Sequence, residues 1–132
     1  MDNIDKKEEC GLFAAYGRPD ASLLCHQGLY ALQHRGQESA GIATADGQMI
    51  RTHAGMGLVG EVFNETNLSR LAGPMAIGHV RYSTTGSSDI RNAQPLTVEF
   101  SRGPVSVAHN GNLINAHLLR DEYEAYGHIF QT

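Results

Sequence analysis

Apolar positions along the chain follow two kinds of spacing. From Gly11 to Tyr16 they run almost unbroken, and this short aromatic stretch predicts a buried strand. Further on, Ala21, Leu24, Cys25, Gly28, Leu29 and Leu32 share one face at helical spacing. That predicts a helix entered after Pro19-Asp20, with Asp20 as its cap and Gly36 as its stop. Ser39–Thr44 and Gln48–His53 flank Asp46-Gly47, a strong hairpin signal. A short helix is expected over Thr66–Ala72 and a strand over Met75–Tyr82, followed by a polar loop over Ser83–Pro95. Leu96–Phe100 and Val105–His109 flank Ser101–Pro104 as a second hairpin. Asn112–Tyr126 reads as a helix with Ala116, Leu119, Tyr123 and Tyr126 on one side and Gly127 at its end. Hairpins require antiparallel pairing, so α+β is predicted rather than a doubly wound parallel sheet.

Composition narrows the class. At 132 residues, one domain is expected, and 41% hydrophobic with 18% charged residues describes a globular chain. A net charge of -4 without a basic stripe argues against nucleic-acid binding. No apolar run approaches the roughly 20 residues of a membrane span, and no signal peptide is visible. Two cysteines, Cys10 and Cys25, are too few for a secreted disulfide framework, so the cytoplasm is the expected compartment. The seven histidines form no HxH or HxxxH pair, so no metal is assigned. Phosphate-loop patterns are missing as well. Met1–Glu9 is polar and reads as a leader, whereas Phe130-Gln131-Thr132 reads as an interrupted element.

Four places carry candidate chemistry. Cys10 sits where the charged leader meets the first apolar strand. As an internal residue it is an ordinary thiol of pKa about 8.5. As a free N-terminus it would also carry an amine of pKa about 7.7–8.0, a built-in general base. On position alone, a structural cysteine is the commoner case. Cys25 lies on the apolar helix face and is read as core. His109-Asn110-Gly111-Asn112 sets a side-chain amide beside a bare backbone N–H, the donors an oxyanion needs, although Asn-Gly is more often a plain turn. Arg81, at the end of an apolar strand, can grip a carboxylate through paired hydrogen bonds, with Thr84 adding a hydroxyl; an isolated arginine of this kind usually reaches for solvent. Gln33–Ser39 contains Arg35-Gly36, which also fits a helix C-terminus.

The order of these pieces is more informative than any one. C-G-L-F, then L-Q-H-R-G-Q-E-S-A-G-I, then G-H-V-R-Y-S-T-T-G, then A-H-N-G-N-L resembles the class II glutamine amidotransferases. Within them it is most similar to the amidophosphoribosyltransferase family, from Cys10 to Thr132. Q-H-R-G-Q and R-Y fit this purine-pathway branch, whereas glucosamine-6-phosphate synthases tend toward Y-R-G and R-W.

The resemblance implies an N-terminal nucleophile (Ntn) hydrolase fold, a four-layer αββα sandwich, truncated here. It implies that residues 1–9 are a propeptide and that 10–132 are a type-2 glutamine amidotransferase domain, incomplete at its C-terminus. An aspartate that grips the substrate's amino group would follow Thr132, and the phosphoribosyltransferase domain is absent, so the chain is expected to be a fragment. By the same resemblance Cys10 is the nucleophile, Asn110 and Gly111 form the oxyanion hole, and Arg81 binds the glutamine carboxylate. Thr84, Arg35 and Gly36 line the pocket, and Tyr82 helps close it. Glutamine would release ammonia through a cysteinyl thioester, for transfer to phosphoribosyl pyrophosphate to give 5-phosphoribosylamine in purine biosynthesis. No cofactor is expected in the fragment; Mg2+, and an iron–sulfur cluster in propeptide-bearing relatives, belong to the full-length enzyme, expected to be a homo-oligomer. The alternatives are a class II amidotransferase with a different acceptor and an unprocessed, non-catalytic glutamine-binding module.

Overall fold

The computed structural model describes residues 9–33, 37–82 and 89–130. β1 (Gly11–Tyr16), β2 (Ser39–Ala45), β3 (Ile50–Met56) and β4 (Met75–Arg81) form one antiparallel sheet in the order β1-β4-β2-β3. Val80 is paired with Gly11 on one side and Ala40 on the other. Since side chains alternate along a strand, Phe13, Ala15, Ala40, Ile42, Ala76, Gly78 and Val80 share one face.

Helix α1 (Ala21–Leu32) lies on that face and buries Ala21, Cys25 and Leu29, three of the predicted positions. Leu29, Ile42 and Val80 are fully buried, each contributing about 1.5–3 kcal/mol. Glycine sets the spacing of helix and sheet. A Cβ at Gly28 would strike the Phe13 ring, and one at Gly78 would strike Cys25 Sγ and Leu29. Asp20 departs from expectation: it precedes α1 but makes no side-chain cap bond. Its carboxylate is taken by the Arg18 guanidinium at 2.9 and 3.1 Å, which holds it below the usual carboxylate range. The helix ends at Leu32, and the expected stop, Gly36, lies outside the described residues.

The β2–β3 hairpin turns at Asp46-Gly47 as predicted. Asp46 Oδ1 accepts the Gln48 and Met49 N–H groups, both at 2.9 Å, and Gly47 takes φ +92. Two short helices follow, α2 (Val59–Val62) and α3 (Glu65–Arg70). The sequence pattern does not announce α2. Its entry is held by Glu61 Oε2, which accepts the Leu58 N–H at 2.7 Å, and by Gln33 Oε1, which accepts the Val59 N–H at 3.1 Å. α3 starts one residue before the predicted Thr66, fixed by reciprocal Asn64 and Asn67 bonds at 2.9 Å.

The opposite sheet face carries Ser39, Gly41, Ala43, Met75, Ile77, His79 and Arg81. Against part of it sits a second antiparallel sheet, β5 (Leu96–Phe100) with β6 (Gly103–Val107). Thr52 and Thr97 hydroxyls join the two sheets at 2.8 Å. The turn is tighter than predicted: Phe100 pairs with Gly103, so Pro104 lies inside a strand rather than in the turn. α4 (Ala116–Ala125) starts four residues after the predicted Asn112 and buries none of its residues. Helix, sheet and second sheet thus stack in that order, and the mixture is α+β as expected.

Candidate active site

Cys10 immediately precedes β1, one step beyond the Gly11–Val80 pair, which brings it to the Arg81-Tyr82 end of β4. The Tyr82 N–H donates to Cys10 Sγ at 3.3 Å, and the thiol faces the Tyr82 carbonyl at 3.6 Å. Asn110 Nδ2 donates to the Cys10 carbonyl at 2.8 Å. Residues 72 and 100 positions apart from Cys10 in sequence therefore meet at it. Cys10 is half-buried, and Asn110 and the Gly111 that follows it are exposed.

Arg81 closes β4 on the face it shares with His79, opposite Ser39. Its carbonyl accepts the Glu38 N–H at 2.9 Å, and its guanidinium lies 4.0 Å from Glu38 Oε2. Both side chains are largely shielded, at 14% and 24% exposure. A guanidinium's planar fork can take up a carboxylate through two parallel hydrogen bonds. Tyr82 is buried, so its ring packs inside while its backbone serves the sulfur.

The Asn110-Gly111 turn is held from behind. Gln94 Oε1 accepts the His109 N–H at 2.7 Å, and His79 Nε2 bonds the His109 carbonyl at 3.1 Å. Gly41 lets the Gln94 backbone approach β2, since a Cβ there would run into the Gln94 carbonyl. Gly111 takes φ +147, a conformation in which a side chain is strained. A primary amide has two N–H groups. One of those of Asn110 is on the Cys10 carbonyl, and its side chain also bears on the His79 ring. Gln94 lies outside the motifs, whereas His79 and Tyr82 lie within G-H-V-R-Y-S-T-T-G, which by itself assigns no role to the His79 ring or the Tyr82 backbone. One signal exists for His79: it stands two residues before Arg81 in a strand, hence on the same face.

Arg35, Gly36 and Thr84 lie outside the described residues. Their flanks are anchored: Gln33 reaches Val59, and Gln37 Nε2 donates to the Ser39 and Gly57 carbonyls at 3.2 and 3.0 Å. Cys25 is fully buried, and desolvation pushes its thiol up to about 12. Among the described residues no group of three His, Cys, Asp or Glu could hold a metal, and no helix is long and apolar enough to cross a membrane. An apolar hollow of about 380 Å³, lined by Ala14, Tyr16, Ala43, Ile50 and Met75, lies at the far end of the same strands.

No family model matches the chain. Individual relatives do. It is 52% identical over 132 residues to amidophosphoribosyltransferase 1, chloroplastic, of Arabidopsis thaliana, covering 99% of this chain and 23% of that protein. To the amidophosphoribosyltransferase of Bacillus subtilis it is 48% identical, covering 95% and 26%. A solved structure described as the allosteric regulatory enzyme of purine biosynthesis matches with a TM-score of 0.86 at 46% identity, over 92% of this chain and 26% of that one. Glutamine phosphoribosylpyrophosphate amidotransferase from B. subtilis, complexed with ADP and GMP, gives 0.83 at 44%, with the same coverage. The chain thus spans about a quarter of the length of the relatives it matches. Its fold is the Ntn fold of their glutaminase domain. By sequence and by fold the chain belongs to the amidophosphoribosyltransferase family.

Proposed function

We propose that this chain is the glutamine-hydrolysing part of an amidophosphoribosyltransferase, with residues 1–9 a propeptide and residues 10–132 most of a type-2 glutamine amidotransferase domain. What supports this most is the meeting of the Cys10 sulfur, the Tyr82 N–H and the Asn110 amide at one strand end, within a family whose members carry this name.

Removal of residues 1–9 frees the Cys10 amine, which takes the thiol proton. The thiolate attacks the side-chain amide carbon of glutamine. Negative charge gathers on the amide oxygen, where the Asn110 Nδ2–H and the Gly111 N–H receive it; one such donor contributes about 2.7–4 kcal/mol. The protonated Cys10 amine then gives its proton to the departing nitrogen, and ammonia leaves. Water, deprotonated by the same amine, cleaves the γ-glutamyl thioester to glutamate. Arg81 holds the substrate carboxylate, Thr84 and the Arg35-Gly36 turn line the pocket, and Tyr82 supports its wall.

The ammonia then reacts with phosphoribosyl pyrophosphate in a further domain to give 5-phosphoribosylamine. Mg2+ belongs to that reaction, beyond the residues of this chain. An iron–sulfur cluster takes several thiolates, and Cys10 with the buried Cys25 does not make such a set. We place the protein in the cytoplasm as a homo-oligomer; some plant relatives are named chloroplastic. Intact mass and N-terminal sequencing of the protein purified after expression from its natural start test the reading. A mature chain starting at Cys10 supports it. Folded protein that keeps Met1 or Asp2 overturns it in favour of an unprocessed glutamine-binding module.

A further inference from the structure

We infer that His79 is the positioning residue of the oxyanion-hole turn, fixing from inside the sheet the peptide plane that aims Asn110 at Cys10. This inference rests on the glutaminase reading above.

The geometry is direct. His79 is fully buried in β4, paired with Leu12 of β1 and Gly41 of β2. The His109 carbonyl that it bonds at 3.1 Å belongs to the same planar peptide as the Asn110 N–H. Fixing that carbonyl therefore fixes the plane from which Asn110 projects. Gln94 holds the preceding peptide through the His109 N–H at 2.7 Å. With both peptide planes set, Asn110 Nδ2 reaches the Cys10 carbonyl at 2.8 Å although the turn itself is exposed.

The proton can be assigned. A carbonyl only accepts, so His79 Nε2 carries hydrogen and donates. Desolvation is the main influence on the ring and lowers its pKa; the His109 carbonyl and the Asn110 side chain oppose it, and Arg81 acts with it. The ring is thereby kept as a neutral donor. Its bond goes to the turn and not to the sulfur, so it acts through Asn110.

The test compares His79→Leu with His79→Gln in the full-length processed enzyme. Glutamine places an N–H close to where Nε2 stands; leucine removes it. We expect His79→Leu to lower glutamine-dependent kcat about 10- to 100-fold, the scale of a displaced catalytic group, with KM within about twofold. His79→Gln should recover most of that loss, and ammonia-dependent synthesis should be unchanged in both. Equal loss in the two variants, an unchanged kcat in His79→Leu, or a matching loss of ammonia-dependent synthesis overturns the inference. Hydrogen exchange of residues 108–112 gives a second readout. It should quicken in His79→Leu and not in His79→Gln; equal exchange in both overturns the role. If the wild-type processed enzyme shows no glutamine-dependent activity, the glutaminase reading has failed, and the exchange experiment still decides whether His79 holds the turn.

Discussion

The surroundings of Cys10 and Cys25 share one contact and little else. Each thiol faces a backbone carbonyl at 3.6 Å, that of Tyr82 for Cys10 and that of Phe13 for Cys25. Cys25 is sealed between α1 and the sheet, wedged against Gly78, and desolvation alone pushes its thiol up to about 12. Cys10 is half-open, receives the Tyr82 N–H, and has the Asn110 amide on its own carbonyl. A thiol becomes a usable nucleophile through the donors and the access around it, not through being a cysteine. The same sheet supplies both environments, one at its helix-covered centre and one at its strand ends.

Substitution at the two positions sharpens this contrast most. Cys10→Ala in the full-length enzyme should abolish glutamine-dependent synthesis, by about 10³-fold or more, and leave ammonia-dependent synthesis intact; Cys25→Ala should leave both near wild type. Parallel steady-state assays with the two nitrogen donors would read this, and similar losses in the two variants would erase the distinction. Crowding the sealed thiol comes next. Gly78→Ala pushes a methyl into Cys25 and Leu29, and we expect a loss of about 1–3 kcal/mol in denaturant unfolding. An unchanged midpoint would mean that the helix–sheet contact is looser than the geometry says.

The smallest effect is in pH. The folded Cys25 thiol holds its proton to about 12, well above the ordinary value of 9.0 for the unfolded chain. Between those values the unfolded state has released a proton that the folded state keeps, so stability falls as pH rises from about 9 toward 12. Cys25→Ala should flatten that slope in unfolding titrations. A slope unaffected by the substitution would assign the alkaline loss to other groups.

Much of this architecture is legible in the chain itself, and the physical reasons differ by element. Asp46-Gly47 encodes its turn locally, through a carboxylate that accepts the N–H groups of Gln48 and Met49 and a glycine at positive φ. The buried face of α1 follows from periodicity. α2 does not, because four residues are too few to show a period; its support comes from Gln33, 26 positions away. Asp20 reads as a cap but is not one, because Arg18, two residues earlier, competes for its carboxylate. Pro104 looks like a turn residue, yet a two-stranded sheet tolerates a missing N–H. At the site, Cys10, Arg81, Asn110 and Gly111 stand out through their motifs. The roles of His79, although it lies inside G-H-V-R-Y-S-T-T-G, and of Gln94 do not, since they rest on bonds to a backbone carbonyl and N–H that no side-chain pattern announces.

Cys10 is moored through its sulfur, its carbonyl and the strand that follows it. All three ties lie downstream of its own nitrogen. On the proposed reading, a cut at the Glu9–Cys10 peptide bond would sever none of them, and the new terminus would keep the berth it has in the intact chain. Its anchors to the rest of the described molecule all stand on the Cys10 side of that bond.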